Sequence, residues 1–278
     1  YVGGVAGYSS GVLSGLVFGD ESELEGNKVV NPTSCVTGQS YVGGIAGYSN
    51  TVSSSENYSS VNASGDYAGG IAGAIRGTAA ATGNINSSDI TAGGDYIGGI
   101  VGSASYADGN SGRGGAAITV STNNGSVSGG NYVGGIAGLY RSTSALHTSE
   151  NNGTVKGISY VGGIAGMAYG PLGNNNFATK VSNTAAVTGT GDYIGGLGGY
   201  LKSVSYTTRT VSYGHNSASV NGSETSSYVG GIMGRGDGLV EHTYMTGESG
   251  IITVSGGTYT GSLAGYIDRS IAIKYSYT

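Results

Sequence analysis

One seven-residue phrase is written nine times along this chain. Residues 41–47, 132–138 and 160–166 each read YVGGIAG. Near copies stand at 1–7 (YVGGVAG), 67–73 (YAGGIAG), 96–102 (YIGGIVG), 193–199 (YIGGLGG), 228–234 (YVGGIMG) and 259–265 (YTGSLAG). The steps between successive starts are 40, 26, 29, 36, 28, 33, 35 and 31 residues. Self-similarity at steps of about 20–50 residues is the mark of a repeat architecture. A chain built this way buries its core between successive copies of one unit.

A second element follows each phrase. It reads Asn, three residues, an aliphatic residue, then Gly two or three residues on: NYSSVNASG (57–65), NNGSVSG (123–129), NNGTVKG (151–157), NTAAVTG (183–189) and NSASVNG (216–222). The gap from this element to the next Tyr is nearly constant, so the length variation is expected between the heptad and the Asn. Repeat proteins place insertions on one face of the array, and loop closure grows slowly more costly with length. The longest insertions, 8–30, 103–122 and 139–150, are therefore expected along one edge.

The units read as strands. No window carries apolar residues at i, i+3, i+4 and i+7 over three turns, and each Gly in a helix interior costs about 1 kcal/mol relative to Ala. Short alternating runs occur at 116–122 (AAITVST), 201–213 (LKSVSYTTRTVSY) and 250–256 (GIITVSG). The shortest step, 26 residues, fits three short strands and three turns. One strand is expected at the heptad, one in the middle (51–57, 179–184) and one after the Asn. The fold class is therefore all-β: a parallel β-solenoid of about nine coils of irregular length, forming a single repeat domain over 1–278.

Within the heptad, the fifth residue is always aliphatic, as in Ile45, Ile136 and Ile164, and the second is Val, Ile or Ala in eight copies. Both look buried. Side chains alternate with period two along a strand, so positions two and five should face opposite ways. Gly43–Gly44, Gly134–Gly135 and Gly162–Gly163 lie between them. Glycine can adopt the positive φ of a bulge, and one extra residue restores phase; this is the preferred expectation. The alternative is a regular strand buried on both faces. Gly47, Gly138 and Gly166 close the phrase, and Tyr41, Tyr132 and Tyr160 open it. Stacked coils would place the leading tyrosines about 4.8 Å apart. Such a ladder can be structural, stabilised by ring stacking, or it can be a strip that binds sugars or a surface.

Composition narrows the class. The chain has 58 Gly and 2 Pro, with no three-residue Gly period, which excludes collagen. Val, Ile, Leu and 22 Tyr supply packing volume, unlike a flexible linker. Net charge is −5 and the 11 cations stand singly in sequence, which argues against nucleic acid. No apolar run of about 20 residues is present, so no membrane-spanning helix is expected. Cys35 is the only cysteine, which leaves no intrachain disulfide and no cysteine-based metal site.

The repeated unit resembles the GLUG motif of bacterial surface proteins. The resemblance rests on GIAG at 44–47, 70–73, 135–138 and 163–166, on its variants, and on the Asn-containing strand that follows. It covers essentially the whole chain. It departs at Ser262, which replaces the second Gly, and at 248–256, which lacks the Asn. The resemblance implies a β-solenoid in a secreted or wall-associated, adhesin-like protein, and it implies no catalytic residue.

No constellation of reactive residues competes with that reading. His147, His215 and His242 lie in three different segments without metal-ligand spacing, and Glu241–His242 reads as a surface pair. Asp66, Asp95 and Asp192 share the slot before the Tyr, filled elsewhere by Asn131, Ser40, Ser159, Ser227 and Thr258. These are ordinary turn residues, although stacked Asp66 and Asp95 could recruit Ca²⁺. No other cofactor is expected. Six sequons, at Asn57, Asn62, Asn86, Asn124, Asn152 and Asn221, carry little weight in a chain so rich in Asn, Ser and Thr. The expected function is a non-catalytic extracellular module, a stalk or filament-forming adhesin; the alternative is a carbohydrate-active or glycan-binding β-helix. Neither end shows a recognisable cap, so the expected partners are further repeats or copies of the chain end to end, with surface glycans or host proteins as ligands.

Overall fold

The computed structural model of the protein describes residues 1–19, 34–105, 115–174, 176–202, 209–247, 252–268 and 272–278. The chain winds as a parallel β-solenoid with two nine-stranded and two eight-stranded sheets, plus shorter pairings along the variable side. The only helical turn among the described residues is the 3₁₀ segment Phe177–Thr179. Identical heptad positions stack in register: Val42 pairs with Ala68, Val133 with Val161, and Ala137 with Ala165. The uneven steps are absorbed outside these rungs.

The heptad is not one bulged strand. Its second and third residues form one strand, as in Val133–Gly134, and the chain bends at the fourth and fifth. It then resumes as a strand of a second sheet, as in Ala137–Tyr140. The period-two conflict disappears because positions two and five serve different cores. Ile45, Ile136 and Ile164 sit in a cluster with the second sheet and the middle strands. Val42, Val133 and Val161 sit in another with Val61, Val127 and Val155 of the strand after the Asn. Each fully buried Val or Ile contributes about 1.5–3 kcal/mol.

Glycine also has a different role from the one expected. No heptad glycine among the described residues has positive φ; the left-handed conformation falls on the tyrosine, with φ 53° at Tyr41, 56° at Tyr132 and Tyr160, and 64° at Tyr96. An L-residue there is disfavoured by about 1–2 kcal/mol. The glycines are needed for room. A Cβ on Gly134 would overlap the Ala137 carbonyl of its own coil, and one on Gly135 would overlap the Asn151 side chain and the Gly163 carbonyl. Gly138 faces the Tyr132 carbonyl in the same way.

Insertions occur at two corners. Most lie between the second sheet and the Asn, as expected. In the first coil, however, Phe18 takes the register of Asn57, and residues 20–33, outside the described set, fall between it and Cys35. Of the expected insertions, 8–30 begins as the long strand Ala6–Ser14. In the eighth coil Met245 pairs with Asn216, and 248–251, also outside the described set, precede Val254. The Asn element was unrecognisable in both coils because its first residue is apolar and its spacing is broken.

The terminal rungs are less covered than the interior. Val5 is 47% exposed, whereas Ile45, its counterpart one coil on, is fully buried. Ile267 and Ile273 in the last rungs are 40% and 37% exposed.

Candidate functional site

The recurring polar and aromatic side chains form three axial ladders. The first is buried. Asn57, Asn86, Asn123, Asn151, Asn183 and Asn216 are wholly inaccessible. Each Nδ2 donates to the Oδ1 of the next coil's Asn, at 2.9, 2.8, 2.7, 2.8 and 2.8 Å in succession. Each also donates to the carbonyl two residues on, as Asn123 does to Gly125 at 2.7 Å. The last Asn donates to the Gly231 carbonyl at 2.9 Å. Every amide in this apolar setting is therefore bonded, which a buried polar group requires. Phe18 and Met245 occupy the rungs beyond each end, and there backbone groups complete the ladder: Asn57 Oδ1 accepts the Ser59 N–H at 3.1 Å, as Asn216 donates to Gly231.

The second ladder is half-exposed. The tyrosines from Tyr41 to Tyr259 stack nearly parallel, with ring centroids 4.5, 4.9, 4.7, 4.5, 4.6, 5.0 and 5.3 Å apart. The expected spacing is met. Ring faces in the interior of the stack are taken up by one another, so the ladder presents edges and hydroxyls to solvent. A sugar that packs on an aromatic face finds none free there. Burial, then neighbouring phenols and the adjacent Asp66 or Asp95, hold the Tyr67 and Tyr96 hydroxyls above their ordinary pKa of 10.0. Tyr132 and Tyr160 are raised in the same way, burial first.

The third ladder fills the slot before each tyrosine. Asp66 Oδ1 accepts the Asp95 backbone N–H, Asp95 Oδ1 accepts that of Asn131, and Asp192 Oδ1 accepts that of Ser227, each at 2.8 Å. Ser40 and Ser159 hydroxyls accept from Asp66 and Asp192 at 3.2 and 2.9 Å. These side chains tie one turn to the next. Among the described residues no group of three or more His, Cys, Asp or Glu is gathered so that it could hold a metal ion.

The remaining candidates are dispersed. Glu241 and His242 do not form a surface pair: Glu241 is buried, while the His242 ring stacks between Tyr213 and Tyr275 at 4.7 and 5.0 Å. The strand Leu239–Glu241 ends at the Glu, and His242 turns the corner with φ 50°. His215 stacks on Tyr244 at 4.3 Å, and His147 Nδ1 lies 2.9 Å from the Thr148 hydroxyl. Cys35 is exposed, and its Sγ accepts from Asn62 Nδ2 at 3.1 Å. Asn57 and Asn86, both in sequons, are inside the core. No helix among the described residues is long and apolar enough to cross a membrane. Comparison with protein-family models, curated proteins and solved structures returned no match.

Proposed function

We propose that the chain is a non-catalytic extracellular structural or adhesive module, a rigid β-solenoid stalk. One observation carries this reading: the polar side chains that recur from coil to coil are engaged in bonds between coils. Asn amides bond Asn amides, and the slot before the tyrosine bonds the next turn's backbone. A site for chemistry needs an acid, base or nucleophile directed at a substrate, and the repeat directs its polar groups along its own axis. The GLUG-like pattern supports a secreted or cell-surface setting. The partners on this reading are further repeats or copies end to end, and surface glycans or host proteins on the sides.

The test is a glycan-degradation screen run beside a glycan-binding screen. Binding without turnover, or neither, is the expected result. Turnover abolished by a single Asp or Glu substitution would overturn the proposal in favour of a carbohydrate-active enzyme.

A further inference from the structure

Cations that stand singly in the sequence are gathered by the winding. The ninth residue after each heptad tyrosine forms an axial row on the outer side of the second sheet. In five successive coils it is Arg76, Ser105, Arg141, Tyr169 and Lys202. Backbone bonds fix the register: the amides of Arg141, Tyr169 and Lys202 each donate at 2.8 Å to a carbonyl of the preceding coil, those of Ala104, Tyr140 and Ala168. The three cations therefore lie two coils apart, roughly 10 Å each along a straight line.

The row is seated on aromatic rings. The Arg141 guanidinium lies 4.5 Å from the Tyr169 ring centroid, and the Lys202 ammonium 5.9 Å from the same ring. Arg76 lies 5.7 Å from the ring of Tyr48. The Arg141 Nε is buried without a hydrogen-bond partner, and Lys202 is exposed. Carboxylates bound the positive segment. Further along the same row stand Asp237 and Asp268, the latter paired with Arg235 at 2.8 Å. Asp66, Asp95 and Asp192 occupy the slot before the tyrosine ladder.

We propose that this row is a docking track for an extended acidic polysaccharide carrying one carboxylate per disaccharide. This rests on the adhesive reading above and names its partner class. A cation every second coil matches a polymer in which charged and neutral sugars alternate, because two coils span about the length of one extended disaccharide. Ser105 and Tyr169 then face the neutral sugars, and the phenol edges beside the row supply hydroxyls. Duplex nucleic acid fits poorly. Its phosphates recur about every 3.4 Å on each strand, so most would find no cation here.

The experiment measures binding of the full chain to immobilised hyaluronan octasaccharide, to a neutral N-acetylglucosamine octamer and to oligo-dT. The expected result is saturable binding to hyaluronan that weakens with salt, with no binding to the neutral octamer. Lys202→Gln and Arg141→Gln should each weaken it about tenfold, the scale of losing one hydrogen bond to a charged group. Lys156→Gln, on an exposed part of another sheet, should leave binding unchanged. Equal binding to the neutral octamer, tighter binding to oligo-dT, or full binding by Lys202→Gln would overturn the track. Lys202 projects outward, so its variant tests the proposal even if Arg141→Gln melts early. The polymer's length after incubation separates the two readings. Hyaluronan left unbound overturns the track alone; hyaluronan bound and recovered shortened supports the track and overturns the non-catalytic reading.

Discussion

The asparagine and tyrosine ladders share one axis and one repeat, yet they tolerate change differently. The asparagine ladder runs through six rungs without substitution and ends at Phe18 and Met245. The tyrosine ladder has a tyrosine in all nine heptads, including the exposed terminal rungs at Tyr1 and Tyr259. The difference lies in solvent. A buried amide that loses its neighbour has no water to turn to and must find a backbone group, as Asn216 finds the Gly231 carbonyl; one left orphaned costs about 1–3 kcal/mol. A half-exposed phenol that loses its neighbour turns to water. The buried ladder therefore gives way to apolar residues, its last amide held by a backbone carbonyl, while the outer one continues through the exposed rungs.

The largest effect is expected at Gly135, which packs directly against the asparagine ladder. Gly135→Ala inserts a methyl group against Asn151 and the Gly163 backbone. Neither is the free end of a flexible side chain, so a loss above about 4 kcal/mol is expected in denaturant unfolding, the range reserved for severe core disruption. Retained stability would mean that the coils do not approach as closely as described. Asn123→Ala comes next. It removes the acceptor of Asn86 and the donor to Asn151 and Gly125, and about 3 kcal/mol should be lost.

Tyrosine changes should be milder and should invert a familiar order. Tyr132→Ala loses stacking with Tyr96 and Tyr160 while keeping a strained φ of 56°; about 2 kcal/mol is expected from stacking and burial. Tyr132→Gly loses the same contacts but relieves the strain, so it should be the more stable variant by about 1 kcal/mol. Melting temperatures in which Ala is the more stable would contradict the left-handed corner. At Lys156, exposed on the strand after the Asn, Ala should change stability by less than about 0.5 kcal/mol.

pH sharpens the contrast further. The hydroxyls of Tyr67, Tyr96, Tyr132 and Tyr160 ionise above 10.0 in the fold, chiefly because of burial. Their raised values favour the folded state fully below the ordinary pKa. That contribution is lost as pH rises through the folded values. Stability should therefore fall at pH above about 10, and Tyr132→Phe should make the fall shallower because its ring stacks without ionising. An unchanged slope would show that the phenol is not held in a distinct environment.

Much of this was legible in the sequence, and the failures have physical causes. The heptad gave the repeat, the strand class, the burial of positions two and five, and the tyrosine spacing. It did not reveal the role of the Gly–Gly pair, because periodicity along one strand does not show that the chain serves two cores; with two, Val133 and Ile136 need no bulge to be buried together. The asparagine ladder was missed because side-chain direction at Asn123 depends on the corner before it. A signal was nonetheless present. Asn57, Asn123, Asn151, Asn183 and Asn216 are never exchanged for Ser or Asp within their element, whereas the slot before the tyrosine drifts among Asp, Asn, Ser and Thr. The cation row was hidden by the unequal coil lengths, which scatter Arg76, Arg141 and Lys202 until each is counted from its own tyrosine.

The recurrent asparagines bond one another inside the solenoid. Hydrogen exchange of side-chain amides in protein labelled at Asn nitrogen tests it most directly. Slow exchange is expected at Asn57, Asn86, Asn123, Asn151, Asn183 and Asn216, approaching the rate of global opening, with fast exchange at exposed Asn62, Asn124 and Asn152. Fast exchange at all nine positions would contradict it.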